Sequence, residues 1–158
     1  APTEDTLANL CVDPDGNVVR GSQEGTWTFT RAQLNAGFGG GGTTLIDAPG
    51  ADKFIVVEET NWMLFHTGSG NQTNELEIRQ AASASNAPVS RFVAARMNEI
   101  IGLGGGVGMY SRDVPELQRV YKVNQPTVLA IIGTPNFGSN ITKISIKVKY
   151  RIYDSDTF

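Results

Sequence analysis

The spacing of three glycines is the first feature of this chain that could do chemistry. Gly37, Gly39 and Gly42 stand in the stretch GFGGGG and match the pattern G-x-G-x-x-G of dinucleotide-binding turns. In that motif a strand precedes the glycines and a helix follows them, because the N-terminus of the helix binds the pyrophosphate. Here a short helical turn precedes them and the strand TTLID follows. We therefore expect no nucleotide at this loop, which we interpret as a surface loop or a place where two backbones approach closely.

Carboxylates, one histidine and one cysteine are the other side chains that could define a site. These residues are Asp13 and Asp15 in DPDGN, Asp154 and Asp156 in YDSDTF, His66 and Cys11. A hydrolytic triad or a zinc site needs partners at ligand-like spacing, which none of them has. The DPDGN turn fails as a calcium loop because its glycine comes two residues too early. We expect no catalytic residue, no metal site and no cofactor, and therefore no enzyme, and we expect His66 to begin a loop and be solvated.

A row of cations near the end of the chain could bind a partner. Lys147, Lys149 and Arg151 alternate with apolar residues, and such a period of two predicts a strand with one buried face. The residues expected to face the core are Ile144, Ile146, Val148, Tyr150 and Ile152.

Three partners for this basic row stay open. Carboxylates on neighbouring strands would neutralise it, and the candidates are Glu75 and Glu77 in ELEIR and Glu58 and Glu59 in the preceding long strand. An acidic neighbouring subunit is the second possibility. Nucleic acid is the weakest, because stacking aromatic residues are not interleaved with the cations, apart from Tyr153.

The composition limits the classes of function. The chain has 158 residues, which predicts one domain, and its net charge of −3 is not typical of a nucleic-acid-binding protein. Only 18% of the residues are charged and 18 are glycines, as suits a surface that neighbouring chains partly cover. A single cysteine allows no intrachain disulfide. No stretch approaches the roughly 20 apolar residues that span a membrane, so we expect no membrane partner.

Alternating apolar and polar residues dominate the rest of the chain. About eight short strands with turn signals between them predict an all-β protein, an antiparallel β-sandwich with a jelly-roll-like arrangement. The stretch VSRFVAARMNEIIG has helical spacing and predicts a short helix capped by Ser90 and ended by Gly102, with a pair of short strands as the alternative.

The first 22 residues are polar and rich in turn signals. We interpret 1–22 as an N-terminal arm or a peripheral hairpin, and 23–158 as the sandwich domain. Apolar residues such as Leu7, Leu10 and Val12 would anchor the arm on a neighbouring chain. Such a segment buries too little apolar surface alone to offset about 1–2 kcal/mol per ordered residue.

Two stretches resemble small structural proteins of tailed bacteriophages. The first is FTRAQLNAGFGGGGTTLIDAPGADKFIVVEETNWMLF, in which APGADK is similar to an APGAGK turn with Asp52 in place of a glycine. The second is TPNFGSNITKISIKVKYRIYD, which is similar to the closing strand of those proteins. The resemblance implies a virion protein with an all-β fold on the capsid surface or in the tail.

From this resemblance we expect a capsid decoration, or cement, protein that binds the major capsid protein and stabilises the capsid. We expect a homotrimer, assembled in the host cytoplasm and found on the capsid surface of the virion. The alternative is a tail or fibre component that recognises a host receptor or glycan, for which Trp27, Trp62 and Tyr110 are candidate sugar-stacking residues, although Trp27 and Trp62 also fit a core.

Overall fold

Ten strands and two short α-helices form the regular structure of the described residues, which are 10–12, 15–16, 18–68, 70–80, 88–113 and 121–157 of the computed structural model. The strands are β1 (Leu10–Val12), β2 (Val18–Arg20), β3 (Gln23–Thr30), β4 (Thr43–Ile46), β5 (Lys53–His66), β6 (Glu75–Gln80), β7 (Pro88–Phe92), β8 (Gly106–Asp113), β9 (Thr127–Ile132) and β10 (Ile141–Asp154). The helices are α1 (Arg31–Ala36) and α2 (Ala94–Gly102), and a turn of 3₁₀ helix, Ser155–Thr157, follows β10.

Eight of these strands form two antiparallel four-stranded sheets. The first sheet has the order β3-β10-β5-β8 and the second the order β4-β9-β6-β7. The first of the eight strands pairs with the last, the second with the seventh, the third with the sixth and the fourth with the fifth. This nested pairing is a jelly roll, so the predicted all-β sandwich is confirmed.

The core lies between the two sheets, and β10 supplies its centre. Ile144, Ile146 and Val148 are fully buried, as their spacing predicts, while Tyr150 and Ile152 are half-buried and pack against the same core. Ile146 lies opposite Trp27 of β3 on one side and Trp62 of β5 on the other.

Helix α1 begins and ends through local chemistry. The Thr30 hydroxyl accepts a hydrogen bond from the Gln33 amide, and the Gln33 side chain accepts one from the Thr30 amide, which together form a capping box. The Gly37 N–H closes the helix on the Leu34 carbonyl at 3.1 Å. Leu34 is the residue that ties the helix to the core.

The stretch predicted as one helix contains both a strand and a helix. Residues Pro88–Phe92 form β7, and the helix begins only at Ala94 and includes Gly102. Ser90 is not its cap, because the Ser90 hydroxyl is buried between the sheets, where it lies 2.6 Å from the Thr60 hydroxyl and accepts the Trp62 indole N–H at 3.1 Å. A buried hydroxyl that satisfies two polar groups of the facing sheet contributes more there than at an exposed helix end.

The N-terminal segment contains a two-stranded hairpin. Strands β1 and β2 pair antiparallel, with Leu10 opposite Arg20, around a turn in which Gly16 has a φ of 87°. The side chains of Leu10 and Val12 lie outside the described part of the chain, as does all of Leu7. Their contact with a neighbouring chain, and the division at residue 22, stay predictions.

Candidate interaction surface

The basic row of β10 lies on the outer face of the first sheet. The Lys147 ammonium is 2.9 Å from a carboxylate oxygen of Glu24 on β3. The Arg151 guanidinium is 2.7 Å from a carboxylate oxygen of Glu58 on β5 and also donates to the Ser22 hydroxyl. Lys149 lies opposite Glu24 on β3 and Glu59 on β5. The row is therefore neutralised largely within its own sheet, as one of the three interpretations expects.

Pairing of this row with Glu75 and Glu77 is wrong. Both carboxylates lie on β6, which belongs to the second sheet, on the other side of the core. Glu77 is almost fully buried and forms ion pairs with Arg79 of its own strand and Arg91 of β7, the latter at 2.7 Å. The cations that pair with Glu77 therefore lie on the second sheet itself.

The outer face of the first sheet changes character from one edge to the other. Exposed threonines line the β3 edge: Thr26, Thr28 and Thr30. The cations of β10 come next, and Lys143 places its ammonium 4.4 Å from the centre of the Phe65 ring. Phe65 and Met63 of β5 lie opposite Val107 and Met109 of β8 at the far edge.

The β8 edge carries an exposed apolar patch. Val107 and Met109 are 60% and 66% exposed, and Leu103, in the turn before β8, is 89% exposed. A large apolar side chain on an edge strand is costly to leave in water, and such patches commonly mark contacts with other proteins. We name Leu103, Val107 and Met109 the apolar corner.

Four loops meet at the end of the sandwich next to this corner, because successive antiparallel strands return the chain to the same end. Gln72 connects its own loop to helix α2 and to the loop that joins β9 to β10. Its side chain donates to the side-chain oxygen Oδ1 of Asn140 at 3.0 Å and accepts from the Gly138 amide, and its backbone exchanges two hydrogen bonds with the Asn98 side chain.

Two further amides bind the loop that joins β9 to β10. Asn35 of α1 donates to the Phe137 carbonyl and accepts from the Phe137 amide, at 3.0 and 2.6 Å. Asn74 donates to the Thr134 carbonyl and accepts from the Asn136 amide, both at 2.8 Å. The five side chains of this amide network are Asn35, Gln72, Asn74, Asn98 and Asn140. The loops are thereby cross-linked to one another.

Charged residues also lie at this end. The Arg31 guanidinium of α1 donates to the Phe137 carbonyl at 3.1 Å, and Arg96 and Glu99 of α2 form an exposed ion pair.

His66 lies beneath this end and is not solvated. It is the last residue of β5, where it continues the inward-facing series of Thr60, Trp62 and Leu64, so that expectation was wrong. Its Nδ1 and the Asn140 Nδ2 are buried without a hydrogen-bond partner among the described residues.

The carboxylate candidates do not assemble into a site in the part of the chain that the structure describes. No three His, Cys, Asp or Glu side chains come close enough there to hold a metal ion. Asp15 and Asp154 lie at opposite ends of the chain and both are exposed, while Asp13 lies outside the described residues. No helix within the described ranges is long and apolar enough to cross a membrane.

The glycine-rich loop 37–42 passes very close to another strand. A Cβ at Gly42, whose φ is 78°, would overlap the Leu129 carbonyl oxygen of β9. Contact with a backbone atom leaves no room for a side chain, so this glycine fits the interpretation of close backbone approach. That the loop binds no nucleotide stays a prediction.

Replacement of Gly42 by alanine is expected to lower the free energy of unfolding by about 1–3 kcal/mol, as overpacking does. Gly40 in the same loop is a matched control, because a Cβ there meets nothing within 4 Å and its φ is not positive. Gly40→Ala should be neutral or slightly stabilising. Urea denaturation of the two variants decides the point, and equal stabilities would contradict it.

The aromatic residues proposed as a sugar platform do not form one. Trp62 is fully buried and packs against Phe92. Trp27 is half-buried and lies over Gly25, where a Cβ would overlap the indole. Tyr110 is stacked on Phe92 as well, with the Arg96 guanidinium 5.4 Å from the centre of the tyrosine ring.

Comparison with known proteins gives little to set beside this geometry. No protein-family model matches the chain, and no curated protein matches it by sequence. One similar solved structure, named "nora virus structure", is 12% identical with a TM-score of 0.32, and the alignment covers 83% of this chain and 55% of that chain. The chain thus spans little more than half the length of that neighbour.

Sequence reasoning missed the apolar corner and the amide network. Val107 and Met109 stand in a glycine-rich stretch that predicts a loop, and an edge strand is not distinguishable there from sequence. The asparagines and glutamines stand in segments far apart in the chain, so only the nested pairing of strands brings them together.

Proposed function

We propose that the chain is a non-enzymatic virion structural protein that decorates a capsid, binding the major capsid protein and stabilising the shell. The observation that carries the proposal is where the two phage-like stretches lie. They supply α1, β4, β5 and β10, and β10 pairs with β5 along almost its full length of 14 residues. The two long strands among them, β5 and β10, form the centre of the first sheet, while β4 lies at an edge of the second sheet.

The surface supports binding to protein rather than chemistry. A jelly roll is a rigid scaffold, and its outer sheet face offers threonines, neutralised cations and an apolar corner side by side. Burial of such apolar area is the main source of protein association. In this proposal the protein is a homotrimer on the outer capsid surface, assembled in the host cytoplasm, with 1–22 as an arm on a neighbouring chain.

Retention on capsids is expected to depend little on salt. Lys147 and Arg151 already have carboxylate partners in their own sheet, so they need not supply charge to the capsid. Retention of the purified protein on capsids from which it has been removed should change less than about tenfold when the salt concentration rises from roughly 0.05 to 0.5 M. A Lys147→Gln variant should behave as the native protein does. A steep loss of retention beyond about 0.15 M would contradict this and place the cations at the capsid contact.

Electron microscopy of particles labelled with an antibody against the chain tests the function. Even labelling over the head supports decoration. Labelling confined to the tail or its fibres overturns decoration in favour of the receptor-binding alternative, and particles that carry no label overturn both. Particles of the same virus labelled with a pre-immune antibody provide the control.

A further inference from the structure

The outer face of the first sheet is apolar at one end and acidic at the other. Paired residues of neighbouring strands form rows across this face. The row next to the loops consists of Thr30, Lys143, Phe65 and Val107. Six residues further along β10, or about 20 Å away, a second row contains Glu24, Lys149 and Glu59. These carboxylates thus lie far from the apolar corner.

Lys143 is a cation within the apolar end. Its ammonium lies over the Phe65 ring, and it forms no ion pair with a carboxylate among the described residues. Arg31 lies beside this end, exposed and without an ion pair among the same residues, while Arg96 and Glu99 neutralise each other. The apolar end therefore has a positive charge that the described part of the chain does not balance.

A protein that covers the apolar corner must cover Lys143 too. A specific interface buries about 800 Å² on each partner, which is a patch about 16 Å in radius. Val107 and Lys143 are two strands apart, or about 10 Å. An ammonium buried under a partner loses its water, which destabilises the complex unless the partner supplies an anion. Charge complementarity therefore requires a partner surface that is apolar and has a carboxylate at this position.

A lipid surface fits this face less well than a protein does. Segments that insert into a membrane bury apolar side chains about 5–10 Å below the headgroups. Met63 and Phe65 are half-buried in the flat sheet and do not project to that depth. Methionine side chains, such as those of Met63 and Met109, instead adapt their shape to the surface of a protein partner.

We infer that this end of the sheet binds the major capsid protein through an apolar surface whose carboxylate pairs with Lys143. The inference rests on the proposed function and names the contact that performs it. Leu103, Val107 and Met109 supply the apolar part, and Phe65 holds the ammonium beside them. An ion pair enclosed by apolar side chains is screened less than exposed charges are, so retention can depend on Lys143 and still change little with salt.

Retention on capsids from which the chain has been removed tests the charge. Lys143→Gln should weaken retention roughly tenfold or more, because a carboxylate of the capsid protein is then buried without a cation. Lys149→Gln is the matched control: it removes the same charge from the same face of β10, but beside Glu24 and Glu59, and should be retained as the native chain is. A carbodiimide should also link Lys143 of the native chain to an aspartate or glutamate of the capsid protein, through an amide that mass spectrometry locates.

The apolar part of the contact is tested in the same assay. Met109→Lys should be retained roughly tenfold more weakly, since it places a second charge in the apolar contact. Val123→Lys is the matched control, because Val123 is 46% exposed but lies before β9, at the opposite end of the sandwich. Circular dichroism shows that all four variants are folded.

The possible results separate this contact from the decoration function. A Lys143→Gln or Met109→Lys chain that is retained like the native chain overturns the inference and leaves decoration standing, whereas a native chain that is not retained overturns both. Variants that change the sedimentation of the free chain but not its retention overturn the inference in favour of a contact between copies. Flotation of the native chain, but not of Lys143→Gln, with phosphatidylserine vesicles overturns it in favour of a lipid surface.

Discussion

Replacement of Glu77 by glutamine is expected to lower the free energy of unfolding by about 3–5 kcal/mol. The carboxylate is 2% exposed and neutralises two guanidinium groups, those of Arg79 and Arg91. Glutamine keeps the shape and removes the charge, so the nearly buried Arg79 is left without an anion in a region of low dielectric. An unpaired buried charge costs far more than a surface ion pair contributes. Chemical denaturation of the two proteins at neutral pH measures the difference.

Glu24→Gln is the matched control for this change. Glu24 also pairs with a cation, Lys147, but both side chains are about half exposed, and such pairs contribute about 0–1 kcal/mol. A cost at Glu77 no larger than the cost at Glu24 would show that solvent reaches the Glu77 pair and would refute the expectation.

Truncation of Ile146 to alanine is expected to cost about 2–5 kcal/mol. The side chain is fully buried, and it lies opposite Trp27 of β3 on one side and Trp62 of β5 on the other. Its removal therefore leaves a cavity between two large rings, which cannot both shift to fill it. Ile146→Val removes only one methyl group and should cost about 0.5–1.5 kcal/mol.

A substitution on the outer face of β10 shows whether the loss of stability comes from the core or from a change in strand propensity. Lys149 lies on the outer face of β10 and is half exposed, so Lys149→Ala should stay within about 0.5 kcal/mol of the native protein. Thermal or urea unfolding should show the largest loss of stability for Ile146→Ala, a smaller loss for Ile146→Val and the smallest change for Lys149→Ala. A loss at Lys149 that matches the loss at Ile146 would mean that the two faces of β10 are assigned wrongly.

The alternation in β10 could be predicted because it depends only on neighbours in the sequence. One face of a strand repeats every two residues, and Ile144, Ile146 and Val148 keep that period without interruption. The turn at residues 49–52 and the helical turn at Arg31 were likewise local signals, and the structure has a turn and a helix there.

Two of the failures come from contacts between distant segments, and the third from the point at which a strand ends. Ser90 reads as a helix cap until Thr60 and Trp62 are brought opposite it by the facing sheet. Glu77 reads as a partner for the basic row of β10 until Arg91 of the next strand is known to lie beside it. His66 reads as a loop residue because β5 continues one residue beyond the apolar run. For Ser90 and Glu77 the partner comes from another strand, and sequence spacing alone cannot supply it.

The nested pairing of strands also has a consequence for how the chain folds. Strand β10 follows every other strand in the sequence, yet it lies between β3 and β5 and pairs with both. Until it has been synthesised, β3 has no partner within the first sheet and β5 has one edge open, both with unpaired backbone groups that favour aggregation. Closing the first sheet must then join segments more than a hundred residues apart, and such long-range closure is slow. The chain is therefore most prone to aggregation, and depends most on chaperones or dilution, after β3 has been synthesised and before β10 has paired with it.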